Sequence, residues 1–258
     1  MCGSVAKRAV AYFARESPRQ ILDNERKKVW NIFPFGLRLR YRTWKHARTH
    51  PKEALADPLK LLWVDPFDIN DGTRFNRTRN VGEIIDGDWD LVQEDLTESQ
   101  VYRGLRSRFV DGESWENTEY WEQAREKMEN EGQVYGYNSF QDFQNHRLPF
   151  LENLYQSIVE EGYRTQGELD PSDRDEKRHR RYPKRYRVTH EVGVNIGRDG
   201  KLLLNSGIHR LSIARIAELD EIPVLVIVRH KEWQKKRDKQ LHLDDPIESD
   251  HPDLQDLT

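Results

Sequence analysis

Ser206-Gly207-Ile208-His209-Arg210 is the densest chemical signal in the chain. A turn that enters a helix leaves backbone N–H groups without acceptors, and the helix dipole adds partial positive charge at the same place. Gly207 has no side chain to keep an oxyanion away. Ser206 can cap the helix or donate its hydroxyl. His209 and Arg210 fall in the first helical turn, where cations are unfavourable unless a bound anion offsets them. The Arg210 guanidinium is a planar fork suited to phosphate oxygens. These residues, Ser206, Gly207, Ile208, His209 and Arg210, are therefore the candidate phosphate-binding set. The plainer account of the same residues is a Ser206 cap, a surface His209, and an Arg210 paired with a carboxylate such as Glu218. Two carboxylates stand out beside this set: Asp68 after Pro66-Phe67, and Glu191 ahead of the central hairpin, where it could face the same cleft. A turn residue at a strand end and a strand-edge charge explain them equally well.

The elements that must position this turn are legible around it. Val192, Val194 and Ile196 alternate with Gly193 and Asn195, as in a half-buried strand. Gly197-Arg198-Asp199-Gly200 is a hairpin turn, and Lys201 to Leu204 is the returning strand. His209 to Leu219 has a broad apolar helical face, and Val224 to Val228 is an uninterrupted apolar strand expected deep in a sheet. Leu61 to Val64 is a short strand stopped by Asp65-Pro66. Trp115 to Met128 and Phe140 to Ile158 have helical periods, the second stopped at Gly162. From Gly167 to Arg187 the chain is almost free of apolar residues and is expected as a charged loop.

The run from Asn205 to Ala214, followed by Ile222-Pro223-Val224-Leu225-Val226, resembles the core of the ParB/sulfiredoxin superfamily. Leu62 to Ile69 is similar to its opening box, and Leu154 to Tyr163 is similar to its S-I-x-x-x-G helix. The resemblance implies an α/β (α+β) fold: a small mixed sheet with packed helices. The domain that carries it is expected at about 56–232, with a helical insertion at about 70–145 relative to the minimal fold; composition adds a charged loop at about 167–187, an arm at 1–55 and a polar tail at 233–258 whose last stretch is expected to fray. The resemblance also implies a nucleotide (ATP, ADP or CTP) with Mg2+, and a phosphotransferase resembling the superfamily's free-serine kinase, in which the acidic base lies in the opening box at the place of Asp68. The sulfiredoxin cysteine position holds Ile208, and Cys2 is remote, so sulfinic-acid reduction is not expected. Too few residues follow Val228 for the helix-turn-helix of chromosome-partition ParB proteins. The competing classes are a nucleic-acid-associated or nuclease-like protein and a nucleotide sensor without chemistry.

Composition excludes several other classes. One cysteine in 258 residues rules out an internal disulfide framework and a polycysteine zinc site. A net charge of -3 gives no global pull towards nucleic acid. No apolar run approaches the roughly 20 residues that span a bilayer, so a cytoplasmic protein is expected. The segment from Lys7 to Lys52 is basic, with Trp30, Phe33, Phe35, Leu37, Leu39, Tyr41 and Trp44 interleaved around Pro34-Gly36. It is expected either as a handle for an anionic membrane or, less favoured, nucleic acid, or as an arm whose aromatics pack inward.

Overall fold

The computed structural model describes residues 35–75, 77–91, 94–169, 188–242 and 250–257. The chain divides into two compact units, Met1–Pro51 and Lys52–Thr258. The described part of the first is essentially one helix, α1 (Phe35–Thr49), with Phe35 and Leu39 buried. The second unit holds the site. It is a mixed α/β body around an open seven-stranded sheet. Among the described residues no helix is long and apolar enough to cross a membrane.

The sheet is organised on β7 (Ile222–His230), whose nine residues are all buried. One edge of β7 is shared by β1 (Leu61–Val64), antiparallel, and β3 (Glu83–Ile85), parallel further along. Its other edge pairs in parallel with β5 (Val192–Ile196), which forms a hairpin with β6 (Leu202–Ser206). The two-residue strands β2 (Asp71–Gly72) and β4 (Glu94–Asp95) extend the sheet beyond β6. A strand with neighbours on both edges and packing on its faces favours apolar residues, which is why Val224–Val228 reads as a continuous run, and the buried Arg229 and His230 that end β7 need polar partners. Val192, Val194 and Ile196 do face a common core with Leu62, Leu204 and Val224. The expectation that β5 is only half buried is corrected: Gly193 and Asn195 are buried as well. The Asn195 side-chain amide is fully buried with no hydrogen-bond partner.

Helix α2 (Arg77–Asn80) is a single turn. Helices α3 (Gln100–Phe109), α4 (Glu119–Glu131) and α5 (Leu148–Glu161) form a second core around Leu105, Tyr120, Ala124, Phe143 and Leu151. The Ser99 and Thr118 hydroxyls accept from Tyr102 N and Trp121 N and so begin α3 and α4. Gly132, at φ 68°, ends α4. Helix α6 (Ile208–Ile216) lies between the two cores. Leu211 and Ala214 belong to the sheet side and Ile213 to the helical side, which accounts for its broad apolar face.

The C-terminal expectation also changes. Helix α7 (Lys231–Leu241) buries Trp233, Gln234, Arg237 and Gln240. Residues 250–257 return to it, placing a buried Asp253 between Arg229 and Arg237. Trp233 Nε1 donates to the same carboxylate at 2.9 Å. Burial alone would raise the Asp253 pKa, but the two guanidiniums and these hydrogen bonds hold it below the usual carboxylate range. A segment that reads as polar is thus ordered by ion pairs, which hydropathy does not register.

Candidate functional site

The entry to α6 is set by backbone geometry. Gly207 sits at φ 96° and ψ 24°, in the left-handed region, and occupies the N-cap position where no side chain caps the helix. A Cβ there would lie 3.0 Å from the Val192 Cα. Glycine is therefore required twice, for the positive φ and for the close seating of the turn on β5. The first intrahelical donor is Leu211 N–H, to Gly207 O at 3.1 Å. The amides ahead of it have no acceptor within the helix.

A cavity of about 450 Å³ opens at this helix start. Leu204, Asn205, Ser206, Gly207 and Ile208 form one wall, and Gly72, Thr73 and Arg74 form the facing one. Trp89, Glu94 and Leu96 complete the lining. The parallel pairing of Asp71 with Leu203 and Gly72 with Leu204 brings the two walls together. Thr73 N donates to Leu204 O at 2.7 Å, and Asn205 Nδ2 donates to Phe75 O at 3.2 Å. Thr73 Oγ1 donates to Trp89 O at 3.3 Å, tying the aromatic ring's loop to the same wall. Arg74 and Glu94 are exposed, and neither side chain makes a hydrogen bond or ion pair among the described residues. One free cation and one free carboxylate therefore border a cavity that also receives a helix N-terminus.

No family model, no curated protein and no solved structure matches this chain.

The structure brings three of the five phosphate-turn residues to the cavity, Ser206, Gly207 and Ile208, and turns the other two away. His209 Nε2 lies 3.2 Å from the hydroxyl of Tyr120, and its ring meets Tyr120 and Tyr135 edge-on. Arg210 reaches into the interior. Its Nη1 donates to Glu191 Oε2 at 3.3 Å, its Nη2 donates to Arg164 O at 2.7 Å, and the guanidinium stacks 4.2 Å over the Tyr163 ring. The carboxylate partner is Glu191 rather than Glu218. The ion pair of Arg210 answers the dipole argument: a fully buried Glu191, not a ligand, offsets its charge at the helix start.

The two candidate bases also separate. Glu191 is fully buried, accepting from Gln166 N, Tyr163 Oη and Arg210. It anchors the 163–166 segment and does not line the cavity. Asp68 is exposed in a short 3-10 turn, Pro66–Asp68, begun by Asp65 accepting from Phe67 N at 2.7 Å. That turn is fixed to α6 by Arg215, which donates to Pro66 O at 2.9 Å and Ile69 O at 2.7 Å. Burial pulls the Arg215 guanidinium below its ordinary pKa. Asp68 too stands outside the cavity lining.

Sequence reasoning missed Thr73, Arg74, Trp89 and Glu94. They fall inside the expected helical insertion at about 70–145. Their relevance comes from a two-residue strand pairing with β6, which leaves no periodicity to detect.

Proposed function

We propose that the α6 cavity binds a phosphorylated small molecule, and that a nucleotide is the ligand it suits best. The observation that carries this reading is the meeting of an unpartnered Arg74 and the open start of α6 across one cavity. Its volume of about 450 Å³ falls in the range of small-molecule sites. Phosphate oxygens are met by the Ser206–Ile208 turn and the Arg74 fork, and a base can stack on Trp89. Glu94 is the one carboxylate among the described lining residues. It fits a Mg2+ carried in with the phosphates, since that ion takes one or two carboxylates and keeps several waters. Bound there, Mg2+ would neutralise phosphate charge. In a phosphotransferase Glu94 would instead orient the substrate hydroxyl, with Arg74 on the donor phosphates. The hairpin, turn, helix and buried strand in this order support a ParB/sulfiredoxin-like architecture.

A second reading, a nucleotide sensor without chemistry, is favoured by one observation: neither Asp68 nor Glu191 lines the cavity. Calorimetry with ATP, ADP and CTP, with and without Mg2+, tests both. Arg74→Ala should weaken binding by about 1.5–3 kcal/mol, the scale of a charge-assisted hydrogen bond, or roughly ten- to a hundredfold. Absence of binding by all three nucleotides to the wild type overturns the proposal. Binding with no phosphate transferred to any hydroxyl compound leaves the sensor.

A further inference from the structure

Helix α1 presents a second surface that the nucleotide reading does not use. Leu37, Tyr41 and Trp44 are spaced i, i+4, i+7 and so share one face. They are 55%, 47% and 57% exposed. The helix is not short of a buried side: Phe35 and Leu39 are 9% and 4% exposed and lie on the opposite face. An apolar stripe turned away from the buried side is not explained by core packing. Exposed cations border it: Arg40, Lys45 and Arg48. Lys and Arg make five of the 15 residues, and no acid occurs in the helix, in a chain of net charge -3. The Tyr41 and Trp44 rings are 6.0 Å apart, and the Arg48 guanidinium lies 5.7 Å over the Trp44 ring. The basic side chain thus borders the aromatic patch with its charge at the rim.

We propose that α1 docks this protein in the plane of an anionic lipid surface, with Leu37, Tyr41 and Trp44 in the headgroup and upper acyl region and the basic residues on lipid phosphates. The inference is independent of the nucleotide site. Charge complementarity selects the occupant: an acid-free basic helix is attracted to an anionic leaflet, and Trp and Tyr suit the interface itself. A nucleic-acid backbone would use the cations but has no use for a leucine and tryptophan at the centre of the contact face. In-plane docking also agrees with the helix length, about 22 Å for 15 residues, and with its high charge.

Flotation of the full chain with phosphatidylcholine vesicles, with and without phosphatidylserine, tests the proposal. The wild type should float only with phosphatidylserine present and detach as salt rises, since the attraction is screened over about 10 Å at 0.1 M. Leu37→Ser with Trp44→Ser, and separately Arg40→Glu with Arg48→Glu, should each reduce the bound fraction at least about tenfold with an unchanged melting temperature. Brominated acyl chains should quench the wild type more than Trp44→Phe. Wild-type protein that does not bind, or binds both vesicle types equally, overturns the proposal. So does binding of an oligonucleotide that the charge-reversal pair abolishes while the serine pair leaves vesicle binding intact. If the serine pair lowers the melting temperature, the charge-reversal pair and the quenching decide.

Discussion

Arg210→Ala separates a structural role for the helix-start arginine from a ligand-binding one. Its side chain is 11% exposed and its partner Glu191 is 0% exposed. Truncation removes the guanidinium from a buried Glu191 carboxylate, which keeps Gln166 N and Tyr163 Oη among its donors, and it strips the Arg164 carbonyl of its 2.7 Å donor. Removing one member of a buried ion pair costs about 3–5 kcal/mol, because the remaining charge is uncompensated. At about 2–4 °C per kcal/mol for a unit of this size, the melting temperature should fall by roughly 6–20 °C. Glu191→Gln keeps an acceptor towards Gln166 and should cost less. The pair Arg210→Met and Glu191→Leu should recover part of the loss, giving a coupling of at least about 1 kcal/mol in the double-mutant cycle. Thermal melts followed by circular dichroism supply the stability, and nucleotide titration well below the transition supplies the affinity. Affinity should change less than threefold, since Arg210 is turned from the cavity. An unmoved melting temperature with a tenfold loss of nucleotide affinity would refute the buried-pair argument and return Arg210 to the site.

Two further outcomes are expected from the same body. His251 Nδ1 accepts from Asp253 N at 3.1 Å and its Nε2 faces Gly200 O at 2.9 Å, so only the neutral Nε2–H form satisfies both, and burial lowers its pKa below the ordinary value. A depressed folded pKa gives stability that is present above the unfolded value of about 6.5 and is lost as pH falls through the folded one; urea melts between pH 7.5 and 5, spanning about that value, should show this loss in the wild type and a flatter profile in His251→Phe. Gly104 faces Tyr120 so closely that an added Cβ would lie 2.9 Å from the Tyr120 Cα and nearer still to its amide nitrogen. Gly104→Ala should therefore destabilise by about 1–3 kcal/mol despite its better helix propensity, and a urea midpoint equal to wild type would show that α3 and α4 do not pack at that distance.

The sequence by itself determined the central strands, the hairpin and the helix of the candidate site. Each of these carries a local signature: the 2-residue alternation of Val192, Val194 and Ile196, the Asp199-Gly200 turn, the apolar face from Leu211 to Ala214, and the unbroken run Val224 to Val228 within β7. It also placed Gly207 in the turn ahead of that helix, whereas the φ of 96° that requires a glycine there came only with the structure. Direction of side chains was not legible. Whether His209 and Arg210 face a cavity or the interior depends on where Tyr120, Tyr163 and Glu191 arrive in space, and those residues lie 89, 47 and 19 positions away in sequence. Arg74 and Glu94 became neighbours of the turn through β2 and β4, strands of two residues each, too short for any periodicity. The fate of the C-terminal segment was decided by ion pairs of Asp253 with Arg229 and Arg237. Local patterning reports which face of an element is apolar. Partner choice for a charged side chain is a long-range matter, settled only when the chain has closed on itself.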